Sequence, residues 1–122
     1  MFTIENLDES TPFLAQLQET TGPIVLCNTF VVPEGTIEAV MKAWHDDAGF
    51  MKAQPGFISA QLHRGTGGSR VLVNLSVWES TESLRNAFRS PEFQSKAKSY
   101  PDGLVVHPHI LQKVAIEGVC VA

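Results

Sequence analysis

Asn74 and Trp78, four residues apart, have the types and spacing in this 122-residue sequence that most invite chemistry. They lie in Val71-Leu72-Val73-Asn74-Leu75-Ser76-Val77-Trp78, a run with apolar residues at both parities that reads as a strand covered on both faces. Residues four apart on a strand project from the same face. A carboxamide and an indole N–H can both donate hydrogen bonds, and together on an apolar wall they would line a small-molecule pocket. The plainer alternative is that Asn74 pairs with a partner in the core and Trp78 packs. A second carboxamide, Asn28, interrupts the apolar run Ile24–Val32.

The four histidines are the candidate bases, since imidazole titrates near neutrality. His63 ends a strand close to a hairpin. Symmetric pairing across the loop puts it opposite Val71 and away from Asn74, whereas a one-residue bulge reverses its face. His45, beside Asp46 and Asp47, falls on the exposed flank of a helix. His107 and His109 share a strand face at a spacing that can chelate a metal. No third ligand accompanies them, so no metal is expected.

These residues need a scaffold, and the pattern supplies one. Phe57–Arg64 and Arg70–Trp78 form a hairpin around Gly65-Thr66-Gly67-Gly68-Ser69. Ile24–Val32 is an earlier strand, ended by Pro33-Glu34-Gly35. A helix over 36–53 carries Ile37, Val40, Met41, Trp44, Ala48 and Met51 on one stripe. Ser80 or Thr81 caps a second helical stretch with Leu84, Ala87 and Phe88 inward, and Ser90-Pro91 restarts it. Leu104–Ile116 is a final strand, with Pro108 placed at an edge or bulge. Residues 1–22 form an arm, in which Thr11-Pro12 opens a short helix with Phe13, Leu14 and Leu17 on one side, packed on the domain or on a neighbour. Residues 23–117 are the domain and 118–122 a tail.

The order strand, helix, strand, strand, helix, strand is the ferredoxin-like α+β arrangement, with four antiparallel strands and two helices on one face. Its first and third strands are central, so Asn28 and Asn74 both lie mid-sheet. Two helices cover only one face of a sheet that is apolar on both. A second copy, sheet against sheet in a homodimer, is the expected cover for the other.

Composition narrows the partners. The sequence is 43% hydrophobic and 18% charged, as in globular proteins. Nine basic against thirteen acidic residues give a net charge of −4, with no basic cluster to bind nucleic acid or an anionic membrane. Cys27 and Cys120 suggest unpaired thiols in a reducing compartment. The acidic start resembles no signal peptide, and no apolar run is long enough to span a membrane. A cytoplasmic location is the expectation.

Several segments resemble the antibiotic biosynthesis monooxygenase family of dimeric α+β barrels. They are Phe30-Val31-Val32-Pro33-Glu34, Gln54-Pro55-Gly56-Phe57-Ile58-Ser59, Leu62-His63-Arg64, Asn74–Ser80, Ser90-Pro91-Glu92-Phe93 and the closing strand, within roughly residues 23–116. The resemblance implies a monooxygenase that oxidises a small planar aromatic or quinol-like metabolite with O₂ and no metal, flavin or haem. Asn74 and Trp78 match the family's substrate-facing pair, and Leu84 stands where a tyrosine is found. Lys98 falls near the position of a further arginine.

In that reading Asn74 and Trp78 stabilise a substrate oxyanion and His63 is the candidate for proton transfer. Asn28, Phe30, Trp44, Phe50 and Leu84 contact the substrate. Haem degradation, which a second branch performs, is disfavoured because its tryptophan and histidine positions fall near Ala87 and Ala97, and Phe88–Tyr100 contains no histidine. A lactone isomerase-like enzyme, or a ligand-binding dimer without catalysis, stays open.

Overall fold

The computed structural model describes residues 1–122. Its elements are β1 (Thr3–Ile4), α1 (Phe13–Gln16), β2 (Ile24–Val31), α2 (Ile37–Lys52), β3 (Phe57–Arg64), β4 (Val71–Trp78), α3 (Thr81–Arg89), α4 (Pro91–Ala97) and β5 (Val105–Leu111). They form a ferredoxin-like α+β fold. The sheet has five strands in the order β1-β5-β2-β4-β3, one more than the sequence pattern indicates. The extra strand comes from the arm: Thr3 and Ile4 pair in parallel with Val105 and Val106. Two residues are too short to show any strand periodicity.

The rest of the arm is bonded to its own domain. Gln16 acts as a surrogate strand residue, its Nε2 donating to the Ile110 carbonyl at 2.9 Å and its Oε1 accepting from the Ile110 N–H at 2.8 Å. Arg85 Nη1 donates to the Leu17 carbonyl at 2.7 Å. Phe13 and Leu17 are buried, whereas Leu14, expected on the same side, is exposed.

Helix boundaries follow their caps. Ser80 Oγ accepts from the Ser83 N–H at 3.1 Å to open α3. Ser90 ends α3 and starts α4, its hydroxyl accepting from the Phe93 N–H at 3.1 Å, with Pro91 at the first helical position. β5 ends at Leu111, short of the expected Ile116, and the chain then turns back in an isolated Ile116–Cys120 bridge. Val114, Ile116, Val119 and Val121 stand exposed there. Pro108 lies past the end of β1, at the sheet edge, where a missing N–H breaks no ladder bond.

Hydrophobic packing on the helix-covered face divides in two. One cluster joins Phe30, Val32, Val40, Leu72, Tyr100 and Leu104; the other joins Phe13, Leu17, Ile24, Trp78, Leu84 and Ala87. Between them, on the central strands, Asn28 and Asn74 are direct partners across the β2–β4 ladder. A bulge at Ile58 lets Phe57 and Ala60 both face the helices. On the opposite face Leu75 is 37% exposed, and Ser59, Gln61 and His63 of β3 are exposed as well. No helix is long and apolar enough to cross a membrane.

Candidate functional site

The gap between the two clusters is a cavity. It holds about 740 Å³ of atom-free space, part of it continuous with solvent, of which about 80 Å³ admits the centre of a water-sized sphere. A single water needs only about 10–15 Å³ on the latter measure, so the site is larger than a hydration pocket. Sixteen of its 21 lining residues are hydrophobic. The polar exceptions are therefore the informative ones, and they cluster: Asn28, Asn74 and Ser76 on the sheet, Asp47 on α2, and the Tyr100 hydroxyl after α4.

The side-chain carbonyl oxygens of Asn28 and Asn74 are shut off from solvent and have no hydrogen-bond partner. Burying an amide without a partner costs about 1–3 kcal/mol in proteins, so two on one rung are expensive for the fold alone. Their strands place them there by parity. Leu26, Asn28 and Phe30 share the inner face of β2, and Leu72, Asn74, Ser76 and Trp78 that of β4.

Trp78 lines the cavity at 1% exposure. Its indole N–H is already engaged, donating to Ser76 Oγ at 3.1 Å, and its ring meets Phe57 edge-on at 5.3 Å between centroids. The expected donor toward a substrate is thus committed to the neighbouring serine, and the indole enters the site as a fixed wall. Phe30, Trp44 and Leu84 also line the cavity.

Two expected site residues lie elsewhere. His63 pairs with Val73 on the opposite face, exposed, with Nδ1 3.3 Å from the Val73 carbonyl. The bulge occurs at Ile58, too early to change the face of His63 relative to Asn74. Phe50 lies off the inward stripe of α2 and borders a shallow open groove with His45, Gln54, Glu92 and Lys96. His107 and His109 gain no third ligand, and no group of three metal-ligating side chains forms.

Asp47, assigned by sequence to the exposed flank, faces inward. Its position relative to Val40, Trp44 and Met51 (spacings of seven, three and four) puts it on the apolar stripe, and that spacing was the available signal. Tyr100 Oη donates to Asp47 Oδ2 at 2.8 Å, while Asp47 Oδ1 is buried with no partner. Burial pushes the Asp47 carboxyl up to about 6, against the opposing pull of the Tyr100 hydrogen bond and the Lys96 charge. Burial, the Asp47 charge and that same bond push Tyr100 far above the ordinary phenol range, so it stays a donor. Its ring is packed edge-on against Phe2 and Phe30.

The fold recurs in solved structures. The cofactor-independent oxygenase SnoaB from Streptomyces nogalater superposes with a TM-score of 0.72 at 21% identity, covering 80% of this chain and 99% of that one. A candidate monooxygenase from Shewanella loihica PV-4 gives 0.65 at 28% identity over 80% and 99%. A candidate antibiotic biosynthesis monooxygenase from Caulobacter crescentus CB15 gives 0.65 at 21% identity over 77% and 92%. No curated protein matches the sequence. The profile of antibiotic biosynthesis monooxygenases matches residues 23–98, which contain both asparagines and Asp47, and the chain belongs to that family.

Proposed function

We propose that this protein is a cofactor-independent monooxygenase that oxidises a small planar aromatic or quinol-like metabolite with O₂ in the cavity between sheet and helices. The observation that carries this reading is the pair of buried, unpartnered amide oxygens, those of Asn28 and Asn74, on one rung between two apolar cores. A ligand O–H or N–H held there would donate the hydrogen bonds that those oxygens lack, and the Nδ2 groups of the same amides can donate to a ligand oxyanion. In the oxidation, a phenolic ring takes one oxygen atom at a ring C–H to give a quinone, and the second leaves as water. The substrate anion supplies the electrons. Donors aimed at a developing oxyanion in comparable sites are each worth about 2.7–4 kcal/mol. Phe30, Trp44 and the Trp78 ring supply flat walls that exclude water.

The half-exposed outer face of the sheet supports the second part of the reading, a homodimer formed sheet to sheet. Asp47 favours one alternative chemistry, isomerisation of a lactone-like substrate, which needs a base and no oxygen. Oxygen uptake with 1,4-naphthohydroquinone and anthrone, corrected for autoxidation, decides between them. Enzyme-dependent uptake that collapses in Asn74→Ala supports the oxygenase. The absence of any uptake above the protein-free control rejects it.

A further inference from the structure

Neither the family match nor the sequence pattern supplies a proton-transfer group, since His63 lies on the wrong face and Leu84 is apolar. The cavity nevertheless contains one carboxylate. Asp47 lines the cavity, with one oxygen anchored at 2.8 Å by Tyr100 and the other buried and unpartnered. A structural carboxylate would be expected to use both oxygens, because each unfilled acceptor carries its full desolvation penalty. Tyr100 cannot swing away, since its ring is wedged between Phe2 and Phe30 at centroid distances of 5.5 and 6.1 Å. The anchored half therefore fixes the direction of the free half.

We propose that Asp47 is the proton-accepting group of the cavity, receiving the hydroxyl hydrogen of the bound ligand on Oδ1, with Tyr100 as its positioning residue. The inference rests on the cavity being the ligand site. In the proton transfer, the ligand O–H bond breaks, the electron pair stays on the ligand oxygen, and the proton forms a bond to Oδ1. Nothing is oxidised or reduced at that step. A proton held near pH 6 suits a group that must be ionised to accept near neutrality.

Other titratable groups near Asp47 are few. Lys96 and Glu92 come from α4; Lys96 favours the ionised form. His45 and Asp46 pair with each other on the exposed side of α2 at 3.2 Å. The inward residues of β3, which also packs against α2, are Phe57, Ala60 and Leu62, none of them ionisable.

Binding of 1-naphthol, neutral below pH 8, tests the assignment against 1-methoxynaphthalene, which lacks the donor. For the intact protein, calorimetry should give a naphthol Kd on the order of fivefold tighter at pH 7.5 than at pH 5, because an ionised acceptor makes the stronger bond. The methyl ether should show no tightening, and Asp47→Asn should abolish the dependence for naphthol. In Tyr100→Phe the midpoint should move to higher pH, since the bond that holds the proton affinity down is gone. Equal naphthol affinity at both pH values, or an unchanged profile in Asp47→Asn, overturns the proposal while leaving the cavity as a ligand site. Failure of both compounds to bind overturns the cavity reading and the proposal with it.

Discussion

The indole N–H of Trp78 donates to Ser76 Oγ, two residues earlier on the same strand face, at 3.1 Å, and both residues are buried. The bond locks the ring orientation that makes Trp78 a wall of the cavity. Ser76→Ala strips the indole of its only partner and leaves a buried donor unsatisfied. Such a loss lowers stability by about 1–3 kcal/mol. Urea unfolding of the variant checks it, and a midpoint equal to that of the parent would show that the bond contributes nothing.

Asn74 should behave in the opposite way. Its carbonyl oxygen is desolvated without compensation, so an apolar side chain of similar volume removes a penalty. Asn74→Leu is expected to unfold at the same or a higher temperature while ligand turnover falls on the order of 100-fold. Asn28→Leu should follow the same pattern. A clear loss of thermal stability in both would mean that the amides serve the fold.

Asp47 makes stability depend on pH with a definite sign. Its carboxyl rises from 3.8 to about 6 on folding, so the folded state holds the proton more tightly than the unfolded chain. The contribution is complete below about pH 4 and is lost as pH climbs through 6. Roughly two pH units at about 1.4 kcal/mol each amount to about 3 kcal/mol. Asp47→Asn should therefore match the parent at pH 4 and exceed it by up to about 3 kcal/mol at pH 8, measured by urea unfolding at both values.

Gly56 couples the turn before β3 to α3. Its φ is +85°, and a Cβ there would run into the Ser83 side chain. Gly56→Ala is expected to cost more than about 1 kcal/mol, from the left-handed backbone and the clash together. Adding Ser83→Gly should restore only the part due to the clash, as a thermal double-mutant cycle will read.

Much of this architecture was legible in the chain. Val71–Trp78 is bounded as the apolar run indicates, and the topology follows from the order of periodic segments. The mid-sheet position of Asn28 and Asn74 came with it, because strand order fixes which residues are central. What escaped depended on contacts that periodicity does not encode. β1 is two residues long, Tyr100 lies in a turn, and the Ile58 bulge shifts faces without a glycine to mark it. Asp47 escaped for another reason: its acidic neighbour Asp46 and His45 made it look like part of a solvated flank, although its spacing from Trp44 and Met51 pointed inward.

The arm has one more implication. Phe2, Ile4 and Phe13 belong to the cavity wall, yet all three precede residue 23, where the match to the family begins. The part of the chain that matches the family thus carries the polar rung, while a segment that precedes it closes one side. Exchanging that segment offers a route to new ligand preferences that leaves every strand of the ferredoxin-like sheet beyond β1 untouched.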